Sequence, residues 1–93
     1  MPRFMIEVPH DNEEKECLHA IDSLLNYGSH FVMNAEWGCN DGVHKAWIMI
    51  EAGNKEEARA ILPPASRARA TIVCINKFSM DEVDDLMKQH GMK

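Results

Sequence analysis

Apolar and polar positions alternate from Arg3 to Val8, with Phe4, Ile6 and Val8 on one side and Arg3, Met5 and Glu7 on the other. That two-residue period predicts a half-buried strand, and Pro9 ends it. The period then changes. Leu18, Ile21 and Leu25 recur at helical spacing with Cys17 and Leu24 beside them, which predicts a helix over about 12–27. Asp11 is its expected cap, with Glu14 three residues on, and Gly28 its stop. Alternation returns from His30 to Trp37, where Phe31, Met33, Ala35 and Trp37 share a face. Asp41-Gly42 is a two-residue hairpin signal, and Val43–Glu51 is the expected return strand. That turn pairs Cys39 with His44, Trp37 with Ala46, Ala35 with Ile48 and Met33 with Ile50. Asn54 and Glu57 form a capping box for a short helix through Ala58, Ile61 and Leu62, which Pro63-Pro64 stops. Ser66–Arg69 is a basic turn, Ala70–Phe78 the last strand, and Ser79 with Glu82 caps a helix over 79–90.

The element order is β-α-β-β-α-β plus a trailing helix, the split βαβ pattern. The expected architecture is α+β and ferredoxin-like: a four-stranded antiparallel sheet with helices on one face, in a single domain spanning 1–93. The other face stays bare and carries Glu36, Trp47 and Met49. A second copy is its simplest cover, and the trailing helix is also placed to reach part of it.

The chain has 93 residues, 45% of them apolar and 27% charged, ordinary values for a globular protein. Such a short chain has a thin core and gains stability from a partner or a metal. A net charge of −5 argues against nucleic acid and against an anionic membrane, since either wants a basic face. No apolar run approaches the roughly 20 residues that cross a bilayer. Cys17, Cys39 and Cys74 make an odd count, which does not suggest a disulfide framework. Together with an opening that reads as a strand and not a leader, this predicts a cytoplasmic protein with either reduced thiols or metal-bound ones.

The opening Met1-Pro2-Arg3-Phe4-Met5-Ile6-Glu7, the run Ile61-Leu62-Pro63-Pro64-Ala65-Ser66-Arg67 and Asn76-Lys77-Phe78-Ser79 resemble small bacterial families of the dimeric α/β-barrel, ferredoxin-like kind. The resemblance is one of pattern over most of the chain. It implies the same fold and a homodimer. Proteins of that kind include monooxygenases, isomerases, haem-handling and nickel-binding proteins, so it does not choose an activity.

The expected topology gathers distant residues at one end of the sheet. His10 follows the first strand, Cys17 lies within two turns of the first helix, and Cys39 faces His44 at the hairpin. Two imidazoles and two thiolates suit zinc, and also copper or nickel; Glu14 stands near as a spare ligand or an acceptor for one. Each also has a plain structural reading: Cys17 as a small apolar residue, His10 in a turn, His44 half-buried on a strand. Glu36 and Trp47 on the bare face, and Arg67 after the second helix, are candidates to hold a small organic molecule, with Glu36 as a base and Arg67 for an anionic group. His19 is expected in solvent and His90 at a helix end. No phosphate loop, nucleophile elbow, Ser-His-Asp order or HExxH is present, so no catalytic residue is assigned. Three functions remain: a metal-binding dimer, a monooxygenase- or isomerase-like enzyme on a small molecule, and a structural or regulatory dimer without chemistry.

Overall fold

In the computed structural model, which describes residues 1–27 and 30–92 and leaves out the Phe31 side chain, β1 (Arg3–Pro9) is a central strand. Antiparallel neighbours flank it: β3 (Lys45–Glu51) on one side and β4 (Thr71–Ile75) on the other, with β2 (Glu36–Trp37) beyond β3. The order β2-β3-β1-β4 is compatible with a ferredoxin-like arrangement. Phe4, Ile6 and Val8 of β1 meet Ala46, Ile48 and Ile50 of β3 and Ile72 of β4 on one face, all buried. Leu24 of α1 (Glu14–Asn26), Val32 of α2 (His30–Met33), and Ala58 and Leu62 in and after α3 (Lys55–Ala60) close the same core.

The second strand departs from expectation. The alternation over His30–Trp37 predicts one long strand; the chain instead forms α2 and leaves only Glu36–Trp37 extended. A helical turn buries Val32 completely and leaves Met33 exposed. The Asn34 side chain then donates back to the His30 carbonyl at 2.9 Å, closing the turn. Eight residues of alternation cannot outvote a single well-buried valine. The expected pairings of Ala35 with Ile48 and Met33 with Ile50 are therefore not made, while Trp37–Ala46 and Glu36–Trp47 are. The expected stop at Gly28 lies outside the described residues, as does the expected place of the Phe31 side chain.

Asp41-Gly42 does not form a two-residue turn. Cys39–Asp41 is a 3-10 turn that closes at Gly42, whose φ is +81°. The loop is tied across its base by Gly38 N–H to the Lys45 carbonyl at 3.1 Å and Val43 N–H to the Gly38 carbonyl at 3.0 Å. This wider loop keeps the pairing register of the tight one.

Helix α1 starts later than expected. Glu13, not Asp11, is its cap, and no side chain satisfies the first turn. Its inward face is also rotated: Cys17 and Leu24 are buried, while Leu18 and Leu25 are exposed. Asn54 caps α3 as expected, accepting from Glu57 N–H at 2.8 Å, and the Glu57 carboxylate accepts from Gly53 N–H at 2.8 Å. The basic turn is a short helix, α4 (Pro64–Arg67), with Pro64 in its first turn, where a missing N–H costs nothing. The last strand stops at Ile75, before the expected Phe78. Ser79 caps α5 (Met80–Gln89) through Glu82 N–H at 3.1 Å, and no residue of that helix is buried.

Candidate metal centre

The end of β1, the start of α1 and the loop before β3 converge. His10 N–H donates to the His44 carbonyl at 3.0 Å, which extends the β1–β3 ladder by a step and fixes both imidazoles at the sheet's end. The His10 and His44 rings meet edge to face, centroids 5.6 Å apart at 84°, and the Trp37 ring packs against His10 at a tilt, with its centroid 5.8 Å away. Cys39 Sγ lies 3.2 Å from His10 Nε2. The rotated face of α1 brings the buried Cys17 to the same point.

One ligand atom from each of His10, Cys17, Cys39 and His44 lies within 4.8 Å of all the others. In a tetrahedral zinc site with Zn–S of about 2.3 Å and Zn–N of about 2.0 Å, donors stand roughly 3.3–3.8 Å apart. A contraction of about 1 Å closes the shell. The cluster could thus hold a metal ion, and two further observations concern its fit. His10 Nδ1 and His44 Nδ1 are buried with no hydrogen-bond partner, while His10 Nε2 bonds to the cluster's own Cys39, so the neutral rings keep lone pairs to offer an ion. Burial, with help from His44 and Arg69 and against Asp11, also holds the His10 pKa below its ordinary value, which favours the neutral ligand form.

Cys39 shows the opposite demand. Burial, and then the hydrogen bond and closeness of the Cys17 thiol, push its pKa up to about 11. Without a metal the thiol keeps its proton, and a cation must displace it. An opening of about 300 Å³ lined by Asn12, Glu14, Cys17, Cys39 and His44 connects the cluster to solvent. Glu14 sits on that path, outside the set of four.

On its other side His10 borders a second cleft, of about 250 Å³, whose polar lining includes His19, Ser23, Ser66 and Arg69. Arg69 pairs with Asp11 at 3.6 Å on the rim. Sequence reasoning passed over Arg69 in favour of Arg67. Continuing the β1–β4 ladder beyond Glu7–Thr71 sets Arg69 opposite Pro9, beside His10, and that register was the signal available. The Arg67 guanidinium holds the Leu62 carbonyl at 2.9 Å and the Ala60 carbonyl at 3.1 Å, tying α3 to α4. Glu36 and Trp47 are cross-strand neighbours as expected, but the indole N–H donates to Glu7 at 3.2 Å and Glu36 is exposed. Cys74 is exposed on β4, opposite Phe4. His19 lines the second cleft, and His90 is the C-cap of α5.

Compared with known proteins, the chain matches no family model, no curated protein and no solved structure. Among the described residues, no helix is long and apolar enough to cross a membrane.

Proposed function

We propose that this protein binds a single transition-metal ion, zinc before nickel or copper, through His10, Cys17, Cys39 and His44 on a ferredoxin-like frame. The observation that carries the reading is the convergence of four ligand atoms within 4.8 Å from three separate chain segments. A surface carboxylate cluster would mean little; one buried and one half-buried thiol with two half-buried imidazoles, each with an unpartnered Nδ1, are a borderline-soft donor set. With all four bound the shell is closed, which suits a structural or storage site better than catalysis. The thiols must stay reduced to serve, so the proposed setting is a reducing one such as the cytoplasm.

The test is elemental analysis of untagged protein purified without chelator, beside the Cys39→Ala/His44→Ala double variant. About one equivalent of zinc, nickel or copper in the parent and none in the variant is expected. No metal in the parent, and no binding when each ion is titrated into reduced protein, retires the proposal.

A second reading, an enzyme acting on a small organic molecule, is favoured by the cleft on the far side of His10 with Arg69 and His19 in its wall. It requires that one of the four donors leave a coordination position open, or that no metal take part. It predicts that a screen of small organic acids raises the melting temperature of the parent and not of Arg69→Ala.

A further inference from the structure

The sheet's second face has a defined grain. Its middle row, Val73–Met5–Met49 across β4, β1 and β3, is apolar, with Trp47 and Ile75 on either side of it. Charges rim the row: Arg3 and Glu51 at one edge, and Glu7 ion-paired with Lys45 at 3.5 Å at the other. Val73 is 48% and Met49 55% exposed. An apolar row bordered by charge is the form of an interaction surface.

Helix α5 carries a matching stripe. Val83, Leu86, Met87 and His90 recur at i, i+3, i+4 and i+7 on one face. With Phe78 and Met92 they line an apolar furrow of about 220 Å³. Phe78 is 63% and Leu86 41% exposed. A helix polar all round needs no partner; this one has an apolar stripe in which Leu86 is exposed and Val83 and Met87 are only half-buried.

The molecule's dimensions say where the stripe is. A compact chain of this length has a radius of gyration of about 12 Å; this one has 16.8 Å, with extents of 54 × 29 × 20 Å. In keeping with that elongated form, the last helix has, among the described residues, no substantial packing against its own sheet or the other helices. Its 10 residues span about 15 Å, enough to cross the three-strand row, which is roughly 10 Å wide at strand spacings of about 4.8 Å.

We infer that two copies of this chain exchange their last helices, the apolar stripe of α5 from each lying across the bare sheet face of the other. A reciprocal exchange covers both exposed surfaces of both copies and closes on itself, as an isologous contact must. A stable dimer buries roughly 1,200–2,000 Å² in total, and the reciprocal contact supplies two helix-on-sheet patches toward it. The inference is independent of the metal site, because neither surface includes any of its ligands.

Analytical ultracentrifugation of the full chain is expected to show a dimer at micromolar concentration. Leu86→Glu on the helix and Val73→Glu on the sheet are each expected to weaken it by about 100-fold or more, with the parent's circular dichroism retained since both positions are exposed. A cross-link identifies the occupant. Differently tagged Met49→Cys and Met87→Cys chains, both carrying Cys74→Ser, are mixed and oxidised; a disulfide joining the two tags is the expected product. A monomeric parent overturns the inference, and so does a dimer that survives both glutamate variants. So does Met49→Cys joining to another Met49→Cys copy, which marks a sheet-to-sheet dimer, or the double variant Met49→Cys/Met87→Cys closing within one chain.

Discussion

At the sulfur of Cys39 two demands oppose each other. A metal ligand must be a thiolate, and this thiol is held protonated by burial and by the Cys17 thiol, with a pKa of about 11. Metal binding therefore expels a proton from Cys39, and affinity should climb by at least about one decade per pH unit through the neutral range. A competition titration between pH 6.5 and 8.5 measures this; a flat profile contradicts thiolate ligation. The metal-free protein should show a window set by the same groups. The His10 pKa lies below the ordinary 6.5, so the unfolded chain takes up that proton first, and its contribution is full above about 6.5 and lost as pH falls below. The Cys39 pKa lies above the ordinary 9.0, so the unfolded chain loses that proton first, and its contribution is full below about 9 and lost as pH rises toward 11. Thermal melts in chelator should peak between those limits. Cys39→Ala should weaken zinc binding by more than about 100-fold, and Cys74→Ala, exposed on β4, should leave it unchanged; equal affinities in a metal titration remove Cys39 from the site.

The elements show why the site was legible while part of the frame around it was not. His10, Cys17, Cys39 and His44 were brought together on paper by a tight Asp41-Gly42 turn that the chain does not make, yet the pairing of Trp37 with Ala46 is the one that turn predicts. Register survives because Trp37 and Ala46 face the core, and a slip of one residue would turn both outward. The turn's own shape answers to a different constraint. Gly38 is crowded: a Cβ there would lie 2.7 Å from the Val43 carbonyl oxygen and 2.8 Å from the Trp47 ring. No local pattern announces that contact. For the same reason the inward face of α1 was misread, since Leu18 and Leu25 outrank Cys17 in hydropathy, but the helix is rotated to pack Leu24 and Cys17. Gly38→Ala should then push apart the base of the loop that carries Cys39. A loss of about 1–3 kcal/mol in urea unfolding is expected, with weaker metal binding. Gly42→Ala meets no atom within 4 Å and should lose about 1 kcal/mol, from its positive φ alone. Equal effects of the two substitutions would show that crowding at Gly38 is not what shapes the loop.

On the scale of the whole molecule, the core is a thin slab on one face of four strands, and its helices are held unevenly. Helix α3 is capped by Asn54, and the Arg59 and Arg67 side chains bind it to α4 and to the approach to β4. Helix α1 has no side-chain cap and buries only Cys17 and Leu24. Helix α1 is thus held less firmly than α3, and it supplies a ligand, from its first turns, to a cluster whose other members sit at the sheet's end. A metal there acts as a clasp between α1 and the sheet. It binds the folded arrangement and not the scattered segments, so at a free concentration 1,000 times its Kd it adds about 4 kcal/mol. The gain should be local before it is global. Hydrogen exchange compared with and without chelator should show added protection in residues 14–20 and 38–44, and little in α3 or α5. A protection gain spread evenly over the chain would mean that the ion merely stabilises a fold already tight at this end. No change at residues 14–20 would mean that Cys17 is not a ligand, and would leave a three-donor site with an open position, which is the arrangement that catalysis needs.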